Sequence, residues 1–324
     1  MRMHIPDGFL DAKTAIASGV FSAAGLGTAL RHTRRHLHSR EIPLIGLTAA
    51  FIFVAQMLNF PVAGGTSGHL IGATLAVVLL GPSVAVIVMS SVLIIQALIF
   101  ADGGLFALGA NIFNMALVAP LCSFIVYRII RKIFQDNRGQ LFAASVASWC
   151  ATIIAAVVCA GELVWSGTAQ WNVVFPAMVG IHAFIGIGEA LITMLVLAAI
   201  GNTRPELLED KSRSNSGKEQ KAVLLYGILI ILGLLIFVVP FASKLPDGLE
   251  RVAKTFGFEN KAIENQSFSA PLKNYRFYGF ELSETSSILA GIIGAGSVFV
   301  FLFVLSRVIV PKSKNGMNSK TPPL

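Results

Sequence analysis

Charge is scarce in this sequence: Asp, Glu, Lys and Arg together make up 13% of its 324 residues. Soluble domains carry about a quarter. That shortfall, with 55% hydrophobic residues and a mean hydropathy of +0.74, excludes an ordinary soluble fold. Cysteine is scarcer still. Cys122, Cys150 and Cys159 fall inside apolar runs without a CxxC spacing, which excludes a disulfide framework or thiolate cluster and leaves them as small packing residues. No phosphate-cradling glycine–lysine loop occurs, so ATP hydrolysis does not belong to this chain. HExxH, GxSxG and paired catalytic carboxylates are missing as well, and nothing remains to support an enzyme reading.

What is present is apolar length. Nine runs approach the ~20 residues that cross a bilayer, at about 12–31, 43–59, 69–81, 83–100, 109–127, 141–163, 176–200, 222–241 and 286–309. The third is short and is expected to start in the loop at Thr66, tilted or re-entrant. The predicted fold is an all-α polytopic membrane protein: a seven-span bundle plus a two-span C-terminal unit. With the N-terminus outside and the C-terminus inside, the inner segments hold 17 of the 25 Lys and Arg, and the short outer loops hold none. The net charge of +8 therefore meets lipid headgroups and calls for no nucleic acid. His32, His36 and His38 belong to this basic inner face and read as solvated loop residues. Residues 1–11 lack the pattern of a cleavable signal peptide.

The polar residues gather on the outer side. If the chain begins at Met3, its free amine, the His4 amide nitrogen and the His4 imidazole close a five- and a six-membered chelate ring on one metal. The open corner suits a second imidazole such as His69, and an all-nitrogen, near-planar set favours Ni²⁺ or Cu²⁺, with Co²⁺ close behind. The glycines of Gly64-Gly65-Thr66-Ser67-Gly68 let that loop fold inward over a site. Asp102, Asn111 and Asn114 return polar groups to the same face, with the two asparagines one helical turn apart. They either support the N-terminal segment, as Asp7 would, or satisfy neighbouring backbone. Trp165 and Trp171 suit interface anchors. His182 and Glu189, seven residues apart, share one face of the seventh span; Glu189 lies too deep for an outer site and suits a structural or coupling role.

Met3–Asp11 (MHIPDGFLD), GGTSGHLIGA at 64–73, ADGGLFALGANIFNMA at 101–116 and IHAFIGIGEALIT at 181–193 resemble the CbiM/NikM family. These are the substrate-capture components of energy-coupling-factor cobalt and nickel transporters. The resemblance implies that Met3, His4 and His69 bind the transported Ni²⁺ or Co²⁺, with no separate cofactor. It also implies a transmembrane coupling subunit and two cytoplasmic ATPase subunits as partners, in a prokaryotic cytoplasmic membrane. The family's chains begin at the Met of Met-His, whereas here Met1-Arg2 stand in front, so the native start is expected at Met3. After the polar stretch 201–221, read as a cytoplasmic linker, Pro246-Asp247-Gly248-Leu249-Glu250 resembles the two-span PDGLE accessory component, fused onto the same chain. Asp247–Phe256 suits a short amphipathic helix. The organisation expected is thus a capture domain at 1–200, the linker, and an accessory domain at 222–324. The competing function is a self-sufficient secondary carrier or channel for divalent cations, which would place carboxylates or broken helices at the membrane midplane.

Overall fold

The structure is a computed structural model and describes residues 4–208, 217–263, 270–277 and 284–309. Seven of its helices are long and apolar enough to span a membrane. Five lie within the first 208 residues: α2 (Ile42–Met57), α4 (Pro82–Ile95), the continuous helix formed by α5 (Leu108–Ile112) and α6 (Ala119–Ile133), α7 (Asn137–Trp165) and α8 (Trp171–Thr203). The remaining two are α9 (Gly217–Phe237) and α11 (Glu284–Ile309).

Two further helices complete the bundle. The first helix, α1 (Ala12–His36), has the length but turns Thr14, Ser18 and Ser22 towards the bundle while Ile16, Val20 and Phe21 on its other face stay exposed, so it lies at the periphery with a polar inner face. It starts sharply at Asp11, whose carboxylate accepts the Thr14 N–H at 2.9 Å. Its close crossing with α5 brings Gly19 and Gly109 into backbone contact, and the Ser22 hydroxyl donates to the Gly109 carbonyl at 2.6 Å. The helix runs on through His36, so His32 and His36 stack on its exposed end, about 37 Å from its start. The third run shortens to α3 (Ala73–Leu80): eight residues, about 12 Å, far less than a bilayer core. Before it comes a hairpin of β1 (Phe60–Val62) and β2 (Thr66–Gly68), turned by Gly64 and Gly65 at φ 78° and 71°.

Helix contacts rest on small residues, as expected where lipid removes the hydrophobic drive between helices. On α7, Ala144, Ala147, Ala151 and Ala155 are buried, and Trp149 Nε1 donates to the Ala183 carbonyl of α8 at 3.0 Å. In the C-terminal part, α11 lies on α2, where Gly46 faces Phe299 and Gly294 faces Phe53. Between α9 and α11, α10 (Gly248–Thr255) buries Leu249, Val252 and Ala253, while Phe256 at its end is exposed.

Candidate metal centre

One end of the bundle gathers residues 4–11, the β1–β2 hairpin, the 101–107 loop and the segment after α9. There the N-terminal residues are held by backbone and side chain together. The Ile5 N–H donates to Asn111 Oδ1 (3.0 Å), Asn111 Nδ2 donates back to the Ile5 carbonyl (3.1 Å), and the Gly104 N–H donates to that carbonyl too (2.9 Å). Asp7 accepts from the N–H groups of Leu105, Phe106 and Ala107 at 2.9–3.1 Å, the last of which is the N-cap of α5. The loop approaches so closely that a Cβ at Gly104 would fall on the Asp7 carboxylate, and Gly103 turns at φ 87°. His4 is thereby fixed in position, 3% exposed.

Two imidazoles meet in this setting. The rings of His4 and His69 lie 5.7 Å apart, centroid to centroid, at 68° to each other. Both line a cavity of about 70 Å³ shared with Asn114, Cys159, His182 and Asp247. Each has a carboxylate beside it. His4 Nδ1 is 3.2 Å from Asp102 Oδ1, close enough for charge attraction but out of line for a hydrogen bond. His69 Nδ1 is 3.2 Å from Asp247 Oδ1 and is hydrogen-bonded to it. Burial pulls the His69 pKa down, the Asp247 charge pulls it up, and the net shift is upward. Asp102 is held in turn by Tyr275, whose hydroxyl donates to Oδ2 at 2.7 Å. Burial, then the Asp102 charge, raise the Tyr275 pKa well above its ordinary range, so it remains a neutral donor.

The residues singled out from sequence distribute as follows. His4, His69, Asp7, Asp102 and Asn111 come together as described, and Met3 lies outside the described residues. Asn114 lines the cavity but gives its Nδ2 to Glu162 (2.7 Å), which also accepts from Ser18 (2.7 Å) and ties α1 to α7. Glu189 accepts the Gly72 N–H at 3.1 Å and the Thr152 hydroxyl at 2.7 Å, fixing the entry to α3 just after His69. Gln56 donates to the Ile71 carbonyl and accepts from Gln96, bracing the same loop. His182 Nδ1 bonds to the Met178 carbonyl within its own helix.

Sequence reasoning missed Asp247 and Tyr275 as neighbours of the histidines. For Asp247 a signal existed, since Pro6-Asp7-Gly8 and Pro246-Asp247-Gly248 repeat one triplet and both aspartates are buried at this site. For Tyr275 there was none. Chemically, the ensemble is a small pocket with two buried imidazoles, each beside an acid, suited to a cation that takes nitrogen ligands.

Residues 4–207 match the family described as the cobalt uptake substrate-specific transmembrane region, CbiM, and residues 221–310 match the PDGLE domain. A fused nickel transport protein NikMN of Rhodobacter capsulatus is 35% identical over 241 residues, covering 70% of this chain and 69% of its own. A chain of Archaeoglobus fulgidus is 36% identical over 307 residues, covering 94% of this chain and 98% of its own. The crystal structure of a transition metal transporter superposes with a TM-score of 0.58 at 31% identity, covering 68% of this chain and 98% of that one. The chain therefore belongs to the CbiM/NikM family of membrane components for cobalt and nickel uptake, in the fused form that carries a PDGLE domain, and it is a transporter component and not an enzyme.

Proposed function

We propose that this chain captures Ni²⁺, or Co²⁺, from outside the cell for an energy-coupling-factor importer. The metal is the cargo. Its ligands are the Met3 amine, the His4 amide and imidazole nitrogens, and the His69 imidazole. One observation carries this reading: two buried imidazoles from the N-terminal segment and the GTSGH loop line one cavity, 5.7 Å between ring centroids. Neighbouring imidazoles on one metal, bonded at about 2.0–2.1 Å, have ring centroids on the order of 4.5 Å apart, so loading draws the rings together by about 1 Å. The chelate takes Nδ1 of His4, so metal displaces the Asp102 contact there. A square, all-nitrogen set favours Ni²⁺ over Co²⁺ and excludes Zn²⁺ by shape.

Release inward is driven by a transmembrane coupling subunit and two cytoplasmic ATPases, in a cytoplasmic membrane, with the N-terminus outside and the C-terminus inside. Residues 1–200 form the capture domain and 222–324 an accessory domain, joined by 201–221. Nickel titration of His4→Ala and His69→Ala tests the site: each loses high-affinity binding, and undiminished binding by either variant rules the ligand set out. Uptake by vesicles holding this chain with and without the ATPase subunits tests the energy source. Uptake by the chain alone would favour the secondary carrier.

A further inference from the structure

The accessory part reaches the candidate site through its signature loop. Leu245 to Asp247 run beside β2 like an added strand. The Ser67 N–H donates to the Pro246 carbonyl at 2.8 Å, and the Ser67 hydroxyl donates to the Leu245 carbonyl at 2.8 Å. One turn back along the chain, the Ser243 N–H donates to the Asn59 carbonyl at 2.7 Å, at the end of α2. Gly248 is needed where it stands: a Cβ there would sit 2.9 Å from Cε1 of His182 and Cδ1 of Ile185. The loop is therefore fixed to the same backbone that carries His69.

Asp247 occupies the N-cap of α10, where an aspartate ordinarily spends its carboxylate on the helix's own N–H groups. Here it makes no such bond. Its side chain, 3% exposed, turns instead to His69 Nδ1 at 3.2 Å. An ionised carboxylate only accepts hydrogen bonds, so the His69 proton must reside on Nδ1, and the lone pair is left on Nε2. Metal-bound histidines are held this way, with one ring nitrogen donating to a carboxylate and the other facing the metal.

We propose that Asp247 is a positioning residue of the metal site: from the PDGLE loop it fixes the tautomer and orientation in which His69 presents Nε2 to the metal. The accessory domain thus completes the site, beyond any part it has in loading. This rests on the assignment of His69 as a ligand under Proposed function.

The test is nickel titration of the purified full-length chain as Asp247→Ala, Asp247→Asn, His69→Ala and the His69→Ala/Asp247→Ala double variant. Asp247→Ala is expected to weaken binding by about 10–100-fold, the usual cost of removing such a partner. Asp247→Asn is expected to fall between, since its amide oxygen still accepts from Nδ1. In the His69→Ala background, Asp247→Ala should cost nothing further, because its effect acts through that imidazole. Equal losses from Asp247→Ala in both backgrounds would make Asp247 a structural residue and overturn the proposal. Unchanged affinity in Asp247→Ala, while His69→Ala loses binding, also overturns it and leaves the ligand set standing. Unchanged affinity in His69→Ala itself overturns the ligand assignment beneath it.

Discussion

The Tyr275 hydroxyl, from the segment between α10 and α11, donates to Asp102 Oδ2 at 2.7 Å, and the other oxygen of that carboxylate faces His4. The segment after α9 therefore touches both histidines, His69 through Asp247 and His4 through Asp102. Tyr275→Phe removes a buried hydrogen bond to a charged acceptor, worth about 1.5–3 kcal/mol. Thermal unfolding of the metal-free variant is expected at lower temperature, and nickel affinity is expected to fall several-fold. A variant with wild-type unfolding and wild-type affinity would sever the Tyr275–Asp102–His4 connection.

Gly104 gives the sharpest steric prediction. A methyl group there falls on the Asp7 carboxylate, which holds the three N–H groups of Leu105, Phe106 and Ala107 leading into α5. Gly104→Ala must push residues 4–8 off the 101–107 loop or leave those donors unpaired, at about 1–3 kcal/mol for each one buried. Nickel affinity should fall at least tenfold while the helical circular dichroism stays unchanged. Wild-type affinity in this variant would mean that the docking of the N-terminal segment does not set the site.

Glu189 separates the two transport readings. Its carboxylate caps Gly72 and receives Thr152, contacts that need an acceptor and not a charge. Glu189→Gln keeps an acceptor oxygen, so ATP-driven metal uptake is expected to stay within about threefold of wild type, since most of this hydrogen-bond energy survives. A carrier that exchanges protons at the midplane would lose transport when that carboxylate becomes an amide. Abolished uptake in Glu189→Gln, with normal expression, would move the account toward the carrier.

The bundle was legible because bilayer-length apolar runs are a strong signal. Its two exceptions have physical causes. The polar α1 buries its serines against α5 and Glu162, so hydropathy alone underrates it. The third run yields only Ala73–Leu80, because Gly72 takes φ 81° and the residues before it serve the His69 loop. At the site, Asp7 and Asn111 were recognisable as polar groups near the right face, but their partners are backbone N–H and C=O groups of distant loops, which no local pattern encodes. Asp247 and Tyr275 were out of reach for a different reason. They approach His69 and Asp102 across sequence separations of 178 and 173 residues, from a loop held on the Ser67 backbone and from a segment whose Leu272 N–H donates to the Ile99 carbonyl.

The central claim is that the chain terminus, Met3 with His4, supplies three of the four ligands. The measurement that bears on it most directly is nickel titration, read by absorption, of the chain beginning at Met3 beside the same chain with one proline inserted between Met3 and His4, whose nitrogen has no amide proton to give up to a metal. Adjacent chelate rings exist only in the first, and binding there should release protons and tighten as pH rises. The account predicts a yellow-to-orange, diamagnetic, square-planar nickel centre for the Met3 chain and loss of that spectrum on insertion. An unchanged spectrum and affinity after insertion, or a paramagnetic six-coordinate nickel in the Met3 chain, would contradict it.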